Sequence, residues 1–210
     1  MSEVAEMSIA EVMKARTSVR KYKKGLQIPK ETLDEILELA STAPSSWNLQ
    51  HWKFIVIQDE ENKKKILPIA FNQQQIVDCS ALIVVLADTE ANQNAEELYG
   101  EAVKAGYMTE AAKETLVGQI NNAYQSNANI GVYEAIRNAS LASMQLMLAA
   151  KAKGIDSCPI GGYLPQALIE ELNIPARYMP NMLITLGYAE KPAHQTGRFP
   201  LEHIVIEERF

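Results

Sequence analysis

The chain has 210 residues, of which 47% are hydrophobic and 22% are charged, the balance of an ordinary globular protein. Its 20 basic and 26 acidic residues give a net charge of −6, which argues against nucleic acid and an anionic membrane surface as partners. The longest clean apolar run, residues 81–87, is much shorter than the ~20 residues that cross a bilayer, so we expect no membrane segment.

Cysteine usage and the opening residues bear on the compartment. Cys79 and Cys158 lie far apart and neither belongs to a C-x-x-C pair, so we expect no disulfide framework. The chain opens with MSEVAEMSIA, which is acidic and lacks the apolar core of a signal peptide. We therefore expect a cytoplasmic protein that folds as one domain over residues 1–210.

Hydrophobic periodicity and turn residues predict the elements of the first 90 residues. Ser8 and Glu11 have the spacing of a capping box, which predicts the start of a helix. Serine, asparagine and proline are frequent in residues 41–50, which predicts a loop. The predicted helices cover about 9–15, 29–40 and 60–70, and the predicted strands cover 52–58 and 82–87.

The strand over 82–87 is apolar throughout, which is typical of a strand buried on both faces and favours parallel or mixed pairing. Residues 91–129 then show no strand signal, which predicts a two-helix excursion from the core. Its tyrosines, Tyr99, Tyr107 and Tyr124, either form a lid over a pocket or pack the helices together.

The helix predicted over 132–153 is apolar nearly all round, so we expect it to be buried. Either one of its faces meets another subunit, or it packs centrally on a single sheet. The tail over about 190–210 stays apolar at Ile204, Val205 and Ile206, as a solvated tail would not. The remaining predicted elements are strands over 155–160 and 182–188 and a helix over about 165–172.

Several common catalytic patterns are missing from the sequence. It contains no G-x-G-x-x-G after a strand, no G-x-x-x-x-G-K-[ST], no G-x-S-x-G and no H-E-x-x-H, which argues against the common phosphate loops, the hydrolase elbow and the zincin site. His51, His194 and His203 have no cysteine or carboxylate at ligand spacing. We therefore expect no metal site and interpret the histidines as surface or capping residues.

Arg16, Ser18 and Arg20 occupy alternate positions, so an extended segment would project two guanidiniums and a hydroxyl from one face. Guanidinium forks match phosphate oxygens, which makes the triplet a candidate receptor for a single phosphate monoester. A basic, solvated turn is the alternative interpretation. Arg198, in the apolar tail, is a candidate to complete the same site.

Polar and glycine-rich segments beside three predicted strands offer hydrogen-bonding groups to a planar ligand. Residues 44–50 (PSSWNLQ) precede one strand, and Asn72 and Gln75 precede the next. Their amides can donate and accept, as the edge of a heterocycle with alternating C=O and N–H groups requires. Gly161 and Gly162 follow a third strand and allow a flat ligand to approach the backbone. Helix caps and tight turns are the alternative for all these segments.

Taken in this order, the motifs closely resemble those of the FMN-dependent nitroreductase family. They are R-x-S-x-R after a short helix, A-P-S-S-x-N-x-Q-x-W before the first long strand, F-N-Q-Q-Q, P-I-G-G-Y and the late Arg198. The resemblance extends from about residue 9 to 205. N-L-Q-H-W and the helix N-A-S-L-A-x-M-Q-L-M, residues 138–147, are similar to small bacterial NAD(P)H nitro and quinone reductases.

The resemblance implies an α+β fold with a central mixed, mainly antiparallel sheet flanked by helices. It also implies an intertwined homodimer, in which the C-terminal arm over about 190–210 reaches the partner subunit and two FMN molecules bind at the interface. NADH or NADPH would reduce FMN, and a nitroaromatic, a quinone or a related small molecule would be reduced in the same pocket by ping-pong turnover.

The resemblance also implies roles for individual residues. Arg16, Ser18 and Arg198 would hold the FMN phosphate, Arg20 would lie near the pyrimidine end of the flavin, and a backbone N–H of the glycine pair would face flavin N5. Residues 44–50 would come from the other subunit. The implied cofactor-binding set is Arg16, Thr17, Ser18, Arg20, Pro44, Ser45, Ser46, Asn48, Gln50, Asn72, Gln75, Pro159, Ile160, Gly161, Gly162 and Arg198. No catalytic side chain is expected because the flavin carries the chemistry.

Three positions depart from the family pattern. Gln75 stands where many members carry Lys, Gly161 where many carry Glu, and Thr196 where some carry a second basic residue. These departures leave the acceptor open: a related flavin enzyme for dehalogenation, enone reduction or flavin cleavage is one alternative. A redox-sensing flavoprotein with little turnover and a helical dimer without flavin are two others. The preferred nucleotide also stays open, because no nucleotide-binding loop is present.

Overall fold

The computed structural model describes residues 7–210. Residues 1–6 lie outside the described residues. They belong to the acidic opening segment, from which we expect no signal peptide. The strands are β1 (Trp52–Ile57), β2 (Ala81–Asp88), β3 (Asp156–Ile160) and β4 (Tyr178–Gly187). The helices are α1 (Ile9–Ala15), α2 (Lys30–Ser41), α3 (Glu60–Ile69), α4 (Gln75–Asp78), α5 (Ala95–Lys104), α6 (Glu110–Ser126), α7 (Ile130–Ala152), α8 (Pro165–Leu172) and α9 (Leu201–Ile204).

Local sequence signals account for several element boundaries. The capping box predicted at the start of α1 is present: the Glu11 backbone N–H donates to the Ser8 hydroxyl, and the Glu11 carboxylate accepts from the Ser8 backbone N–H at 2.8 Å. Strand β4 begins four residues before the predicted 182–188 strand, because Pro180 hides its start in the sequence. Pro180 pairs with Leu86 of β2, and the register between β2 and β4 shifts between Val85 and Leu86. Proline is tolerated at such an irregularity in a sheet.

The four strands form one sheet in the order β1-β2-β4-β3, and each neighbouring pair is antiparallel. The expectation of parallel or mixed pairing for β2 was therefore wrong. All eight residues of β2 are buried because helices cover both faces of the sheet. An uninterrupted apolar run reports burial of both faces, and it does not report strand direction.

Alternate residues of β2 belong to two separate clusters. Ile83 and Val85 pack with α2 and α7 on one face. Leu82 and Val84 pack with α3, α4 and α8 on the other face. Burying each of these side chains contributes about 1.5–3 kcal/mol, so β2 anchors both helical layers.

Helix α7 is buried on one face only. Small residues such as Ala139 and Ala142 bring it close to the sheet. The opposite face leaves Val132, Ile136 and Met144 about 40% exposed, so central packing on one sheet does not bury the helix, and contact of this face with another subunit stays a prediction. Within residues 7–210, no segment covers this apolar face.

Residues 91–129, here called the helical excursion, contain a 3₁₀ turn (Ala91–Asn94), α5 and α6. Ala91, Ala95 and Ile120 form a third cluster with Leu49, which lies before β1. The C-terminal arm beyond Ala193 is exposed throughout, including Phe199 and Leu201 at 70% or more. Within residues 7–210, no helix has the length and apolarity needed to cross a membrane.

Two helical glycines provide a test of this packing. A Cβ added at Gly131 in α7 would overlap the carbonyl oxygen of Thr89, whereas a Cβ at Gly118 in α6 would meet no atom within 4 Å. We expect Gly131→Ala to lower the free energy of unfolding by about 1–3 kcal/mol. We expect Gly118→Ala to raise it by up to about 1 kcal/mol, because alanine is the better helix former. Urea unfolding followed by circular dichroism measures both, and shifts of the same sign would contradict this packing.

Candidate functional site

The R-x-S-x-R segment lies in extended form along β3. Ser18 makes a parallel bridge with Ser157, and the Val19 N–H donates to the Ser157 carbonyl at 3.0 Å. Val19 is buried, while Arg16 and Ser18 are half-buried and Arg20 is exposed. Packing of Val19 therefore fixes the backbone and leaves the two arginines to contact solvent or a ligand.

The charges of this segment act on a buried thiol of β3. Burial raises the pKa of Cys158, and Arg20, Arg16 and the Ser18 hydroxyl partly oppose that rise. The two guanidiniums and the hydroxyl thus lie near one point of the strand. Thr17 lines a separate hollow of about 410 Å³ together with Lys151 and Asp156.

The glycine pair after β3 contacts the turn that follows α3. The Gln73 side-chain amide donates to the Gly162 carbonyl at 2.9 Å, and the Leu164 N–H donates to the Ile69 carbonyl at 3.0 Å. A Cβ added at Gly162 would lie in contact with the Phe71 ring, whereas one at Gly161 would meet nothing within 4 Å. The backbone of Gly161 therefore borders open space, as a planar ligand requires.

Two residues with positive φ and the side-chain amides of two glutamines shape the turn that follows α3. Phe71 and Asn72 both have a φ of 54°, and their side chains are exposed. Gln75 is only 7% exposed, and its amide donates to Gln73 at 3.1 Å. Gln75 therefore supports Gln73, and through it Gly162. Gln73 was not among the predicted site residues, although the run of three glutamines was the signal for it.

We call residues 16–20, 157–162 and 71–73 together the β3-side strip. Strand pairing joins the first two segments and the Gln73–Gly162 hydrogen bond joins the third. Pro159 and Ile160 are the last residues of β3 and connect the arginine segment to the glycine pair. Three of the predicted site segments thus form one continuous surface within a single chain.

The 44–50 loop is held by helix α7. The Ser46 N–H donates to the Asn138 side chain at 2.9 Å, and the Ser46 hydroxyl donates to Glu134 at 2.5 Å. Burial opposes ionisation of Glu134, but hydrogen bonds from Ser46 and Asn138, together with the Arg137 guanidinium, lower its pKa overall. Sequence reasoning missed Glu134 and Asn138, because their contact with Ser46 is made only in the fold.

The same loop carries unusual backbone strain. Trp47, Asn48 and Gln50 have φ values of 52°, 53° and 53°, in the left-handed region. Each such residue other than glycine costs of order 1–3 kcal/mol, so surrounding contacts must hold the loop. The Ser45 hydroxyl accepts from the Gln50 N–H at 3.0 Å, while Pro44 and Asn48 stay exposed.

His51, which follows the loop, is fully buried. The expectation of a surface or capping histidine was therefore wrong for this residue, because the helical excursion covers it. Its Nε2 lies 3.0 Å from the Tyr124 hydroxyl, while its Nδ1 has no partner. Burial lowers the pKa of His51, and nearby Glu134 and Asp88 only partly offset that effect.

The tyrosines of the helical excursion divide into two kinds. Tyr99 and Tyr124 are half-buried. The Tyr99 hydroxyl donates to the Trp47 carbonyl, and the Tyr124 hydroxyl bonds His51, so both tyrosines pack their helices onto the 44–50 loop and the residue after it. Tyr107 is 85% exposed at the turn between α5 and α6. Packing is therefore the role of Tyr99 and Tyr124, while Tyr107 lies at the surface.

Strand register places the 44–50 loop and the arginine segment at opposite corners of the sheet. Ser157 in β3 pairs with Leu186 in β4, which pairs with Ala81 at the start of β2. Trp52 in β1, just after the loop, pairs with Ala87 near the end of β2. Strand rise and spacing put these corners roughly 25 Å apart, farther than a three-ring heterocycle is long. Within residues 7–210, no hydrogen bond joins the loop to the β3-side strip.

Arg198 lies in the exposed arm, and within residues 7–210 it makes no hydrogen bond to the 44–50 loop or to the β3-side strip. Its guanidinium donates to the Thr196 hydroxyl at 2.9 Å and to the Gly197 carbonyl at 2.8 Å. Thr196, one of the family departures, thus orients Arg198 within the arm.

A groove of about 580 Å³ lies between α2, β1 and α5. Of the predicted site residues, all of which the structure describes, only Gln50 lines it. Residues 7–210 of a single chain therefore do not enclose the predicted site in this groove. In the described part of the chain, no cluster of three or more His, Cys, Asp and Glu side chains could hold a metal ion.

Comparison with known proteins shows what the whole chain is similar to. The model of the Nitroreductase family matches residues 13–188. The chain is 51% identical over 194 residues to Bacillus subtilis YodC, named provisionally as an NAD(P)H nitroreductase, with 92% of this chain and 96% of that protein covered. It is 30% identical over 193 residues to the CLA biosynthesis enone reductase of Lactiplantibacillus plantarum, with 90% and 89% covered.

Solved structures confirm the expected α+β fold. One from Exiguobacterium sibiricum, described provisionally as a nitroreductase in complex with FMN, superposes with a TM-score of 0.92 at 36% identity. The superposition covers 99% of this chain and 100% of that chain. The fold of this chain thus belongs to a known structural class.

Burial of His51 predicts a pH-dependent stability. Its pKa in the folded chain is lower than the unfolded value of about 6.5, so the unfolded chain binds more protons as the pH falls below that value. The free energy of unfolding should therefore drop between about pH 7.5 and pH 5.5, by at most about 1.4 kcal/mol per pH unit from this one group. Urea unfolding at each pH measures the slope.

His51→Gln should reduce this pH slope, because glutamine can still reach Tyr124 and does not titrate. His194→Gln is the matched control, since His194 is exposed and should leave the slope unchanged. An identical slope in His51→Gln and the unaltered chain would contradict the role given to burial.

Proposed function

This chain belongs to the nitroreductase family, and we propose that it is an FMN-dependent oxidoreductase that passes electrons from NADH or NADPH to a small organic acceptor. The observation that carries the proposal is the β3-side strip, in which an arginine segment, an open glycine backbone and an exposed asparagine adjoin. The name of the Bacillus relative and the FMN in the Exiguobacterium structure support it.

The donor groups of the strip fit FMN. The guanidinium of Arg16 and the hydroxyl of Ser18 match a phosphate monoester. The amide of Asn72 can both donate to and accept from the pyrimidine edge. The open space beside Gly161, which even a Cβ would not fill, admits a flat ring against the backbone.

We assign the roles on that basis. Arg16 and Ser18 would bind the phosphate, with Arg198 brought from the arm. Arg20 would lie near the pyrimidine end, where its positive charge favours the negative charge that reduction produces. The remaining contacts would come from Thr17, Asn72, Pro159, Ile160, Gly161 and Gly162 of one subunit and from Pro44, Ser45, Ser46, Asn48 and Gln50 of the other, with Gln75 acting through Gln73.

A homodimer is part of the proposal. The two groups of site residues lie at opposite corners of one sheet, so a second copy is needed to bring a 44–50 loop to each β3-side strip. The exposed apolar face of α7 and the exposed apolar arm supply surfaces that such a copy would bury. A cytoplasmic location also remains proposed, supported by the free, buried Cys79 and Cys158.

FMN, when bound, supplies the redox chemistry by taking a hydride from NAD(P)H and returning two electrons to the acceptor. The chain's task is to position the flavin, and its arginines also stabilise negative charge. Donor and acceptor would occupy the same open face in turn, which gives ping-pong turnover.

The acceptor class follows from the uncharged groups near Gly161. Gln75 is buried, and its side-chain amide donates a hydrogen bond to Gln73. Gly161 has no side chain, so neither position places a charge beside the acceptor. We therefore propose a neutral acceptor such as a nitroaromatic or a quinone. Enone reduction is the second candidate, favoured by the similarity to the Lactiplantibacillus enone reductase.

The absorption spectrum of the purified protein tests the function. We expect two bands, in the near ultraviolet and the blue, that bleach under anaerobic NADH or NADPH and return on adding an acceptor. The nucleotide that bleaches faster identifies the donor, and comparing nitroaromatic, quinone and enone acceptors identifies the substrate class. A colourless protein that takes up no added FMN would overturn the proposal.

Subunit complementation tests the composite site. Arg16→Gln should weaken FMN binding at least about tenfold through loss of a charged hydrogen bond. Asn48→Gly should weaken it about fivefold while keeping the left-handed backbone. A heterodimer of one subunit of each kind should contain one site of unaltered affinity, because its Arg16 and Asn48 then come from different chains. FMN titration measures the site number, and two weak sites would show that both residues come from one chain.

A further inference from the structure

Two residues of the 44–50 loop, Asn48 and Gln50, depend on the orientation of the peptide units that precede them. The Trp47 carbonyl belongs to the peptide that precedes Asn48, so its direction sets the φ of Asn48. The Leu49 carbonyl likewise sets the φ of Gln50. Both φ values are 53°, so a flip of either peptide would move its residue out of the left-handed region.

Side chains of the helical excursion hold both of these carbonyls. The Tyr99 hydroxyl in α5 donates to the Trp47 carbonyl at 2.5 Å. The Asn94 side-chain amide donates to the Leu49 carbonyl at 3.0 Å. Each of the two peptides thus receives a hydrogen bond from outside the loop.

A buried ion pair fixes the orientation of Asn94. Arg177 donates to both carboxylate oxygens of Asp88, at 2.7 Å and 2.6 Å, and to the Asn94 side-chain oxygen at 2.7 Å. The Asp88 side chain is 1% exposed and that of Arg177 is 24% exposed, so the carboxylate is the buried partner of this pair. Because its oxygen is occupied by Arg177, Asn94 must present its amide N–H groups toward Leu49.

We propose that Tyr99 and Asn94 are positioning residues through which the helical excursion holds the 44–50 loop in its left-handed conformation and so presents Asn48. The Leu49 side chain, which is fully buried among Ala91, Ala95 and Ile120, adds an apolar anchor to the same contact. The consequence for flavin binding rests on the proposed function, whereas the consequence for the loop does not.

Tyr99→Phe tests the proposal by removing one hydroxyl and little volume. Trp47 and Trp52 are the two tryptophans of the chain, and Trp52 is 6% exposed, so acrylamide quenching of the apoprotein reports mainly Trp47. We expect the quenching constant to rise about twofold and FMN to bind about fivefold more weakly, the effect of one neutral hydrogen bond. Tyr107→Phe is the matched control and should change neither value.

Asn94→Asp provides a second, independent variant. It keeps an oxygen for Arg177 but loses the N–H that the Leu49 carbonyl accepts, so we expect the same two changes. Asn92→Asp, in the same 3₁₀ turn with its amide on Asn121, is the control. Thermal unfolding by circular dichroism checks that each variant is folded before it is compared.

The outcomes separate this proposal from the proposed function. The positioning role would be overturned if Tyr99→Phe and Asn94→Asp both gave the same quenching constant and the same FMN affinity as their control variants. An unaltered protein that binds no FMN would overturn the proposed function, while quenching of Trp47 in the apoprotein would still decide the role of the excursion.

Discussion

Burial of strand β2 on both faces is the constraint from which the rest of the structure follows. Its apolar side chains alternate between two clusters, so helices must cover the sheet on both sides. Polar groups that bind a ligand are then excluded from the centre of the sheet, because an unpaired polar group there would be costly. The candidate site residues accordingly lie before and after the strands or, like Pro159 and Ile160, at the end of one.

Antiparallel register then decides which of these segments can meet. The arginine segment adjoins β3 at the end of the sheet where β2 begins, and the 44–50 loop enters β1 at the end where β2 finishes. One chain therefore holds the two groups of candidate site residues apart. The proposed homodimer would bring them together, and it would give the apolar face of α7 a partner surface.

Much of the fold could be predicted because its signals are local. The Ser8 and Glu11 capping box and the periodic run of α7 each act within a few residues of the chain. The start of β4 could not be found in this way, since Pro180 is compatible with a strand only beside the register shift with β2. Of the candidate site, motif spacing identified the segments, but Gln73, Glu134 and Asn138 contact them only through tertiary packing.

The sequence by itself determined the apolar periodicities, the caps and the ligand-binding residue types, because these depend on side-chain chemistry and on neighbours a few positions away. Only the tertiary structure decided that β2 pairs antiparallel, that α7 has an uncovered face and that His51 is buried. It also decided the left-handed backbone of the 44–50 loop. These features depend on contacts between residues distant in sequence, such as Tyr99 with Trp47, which spacing along the chain does not encode.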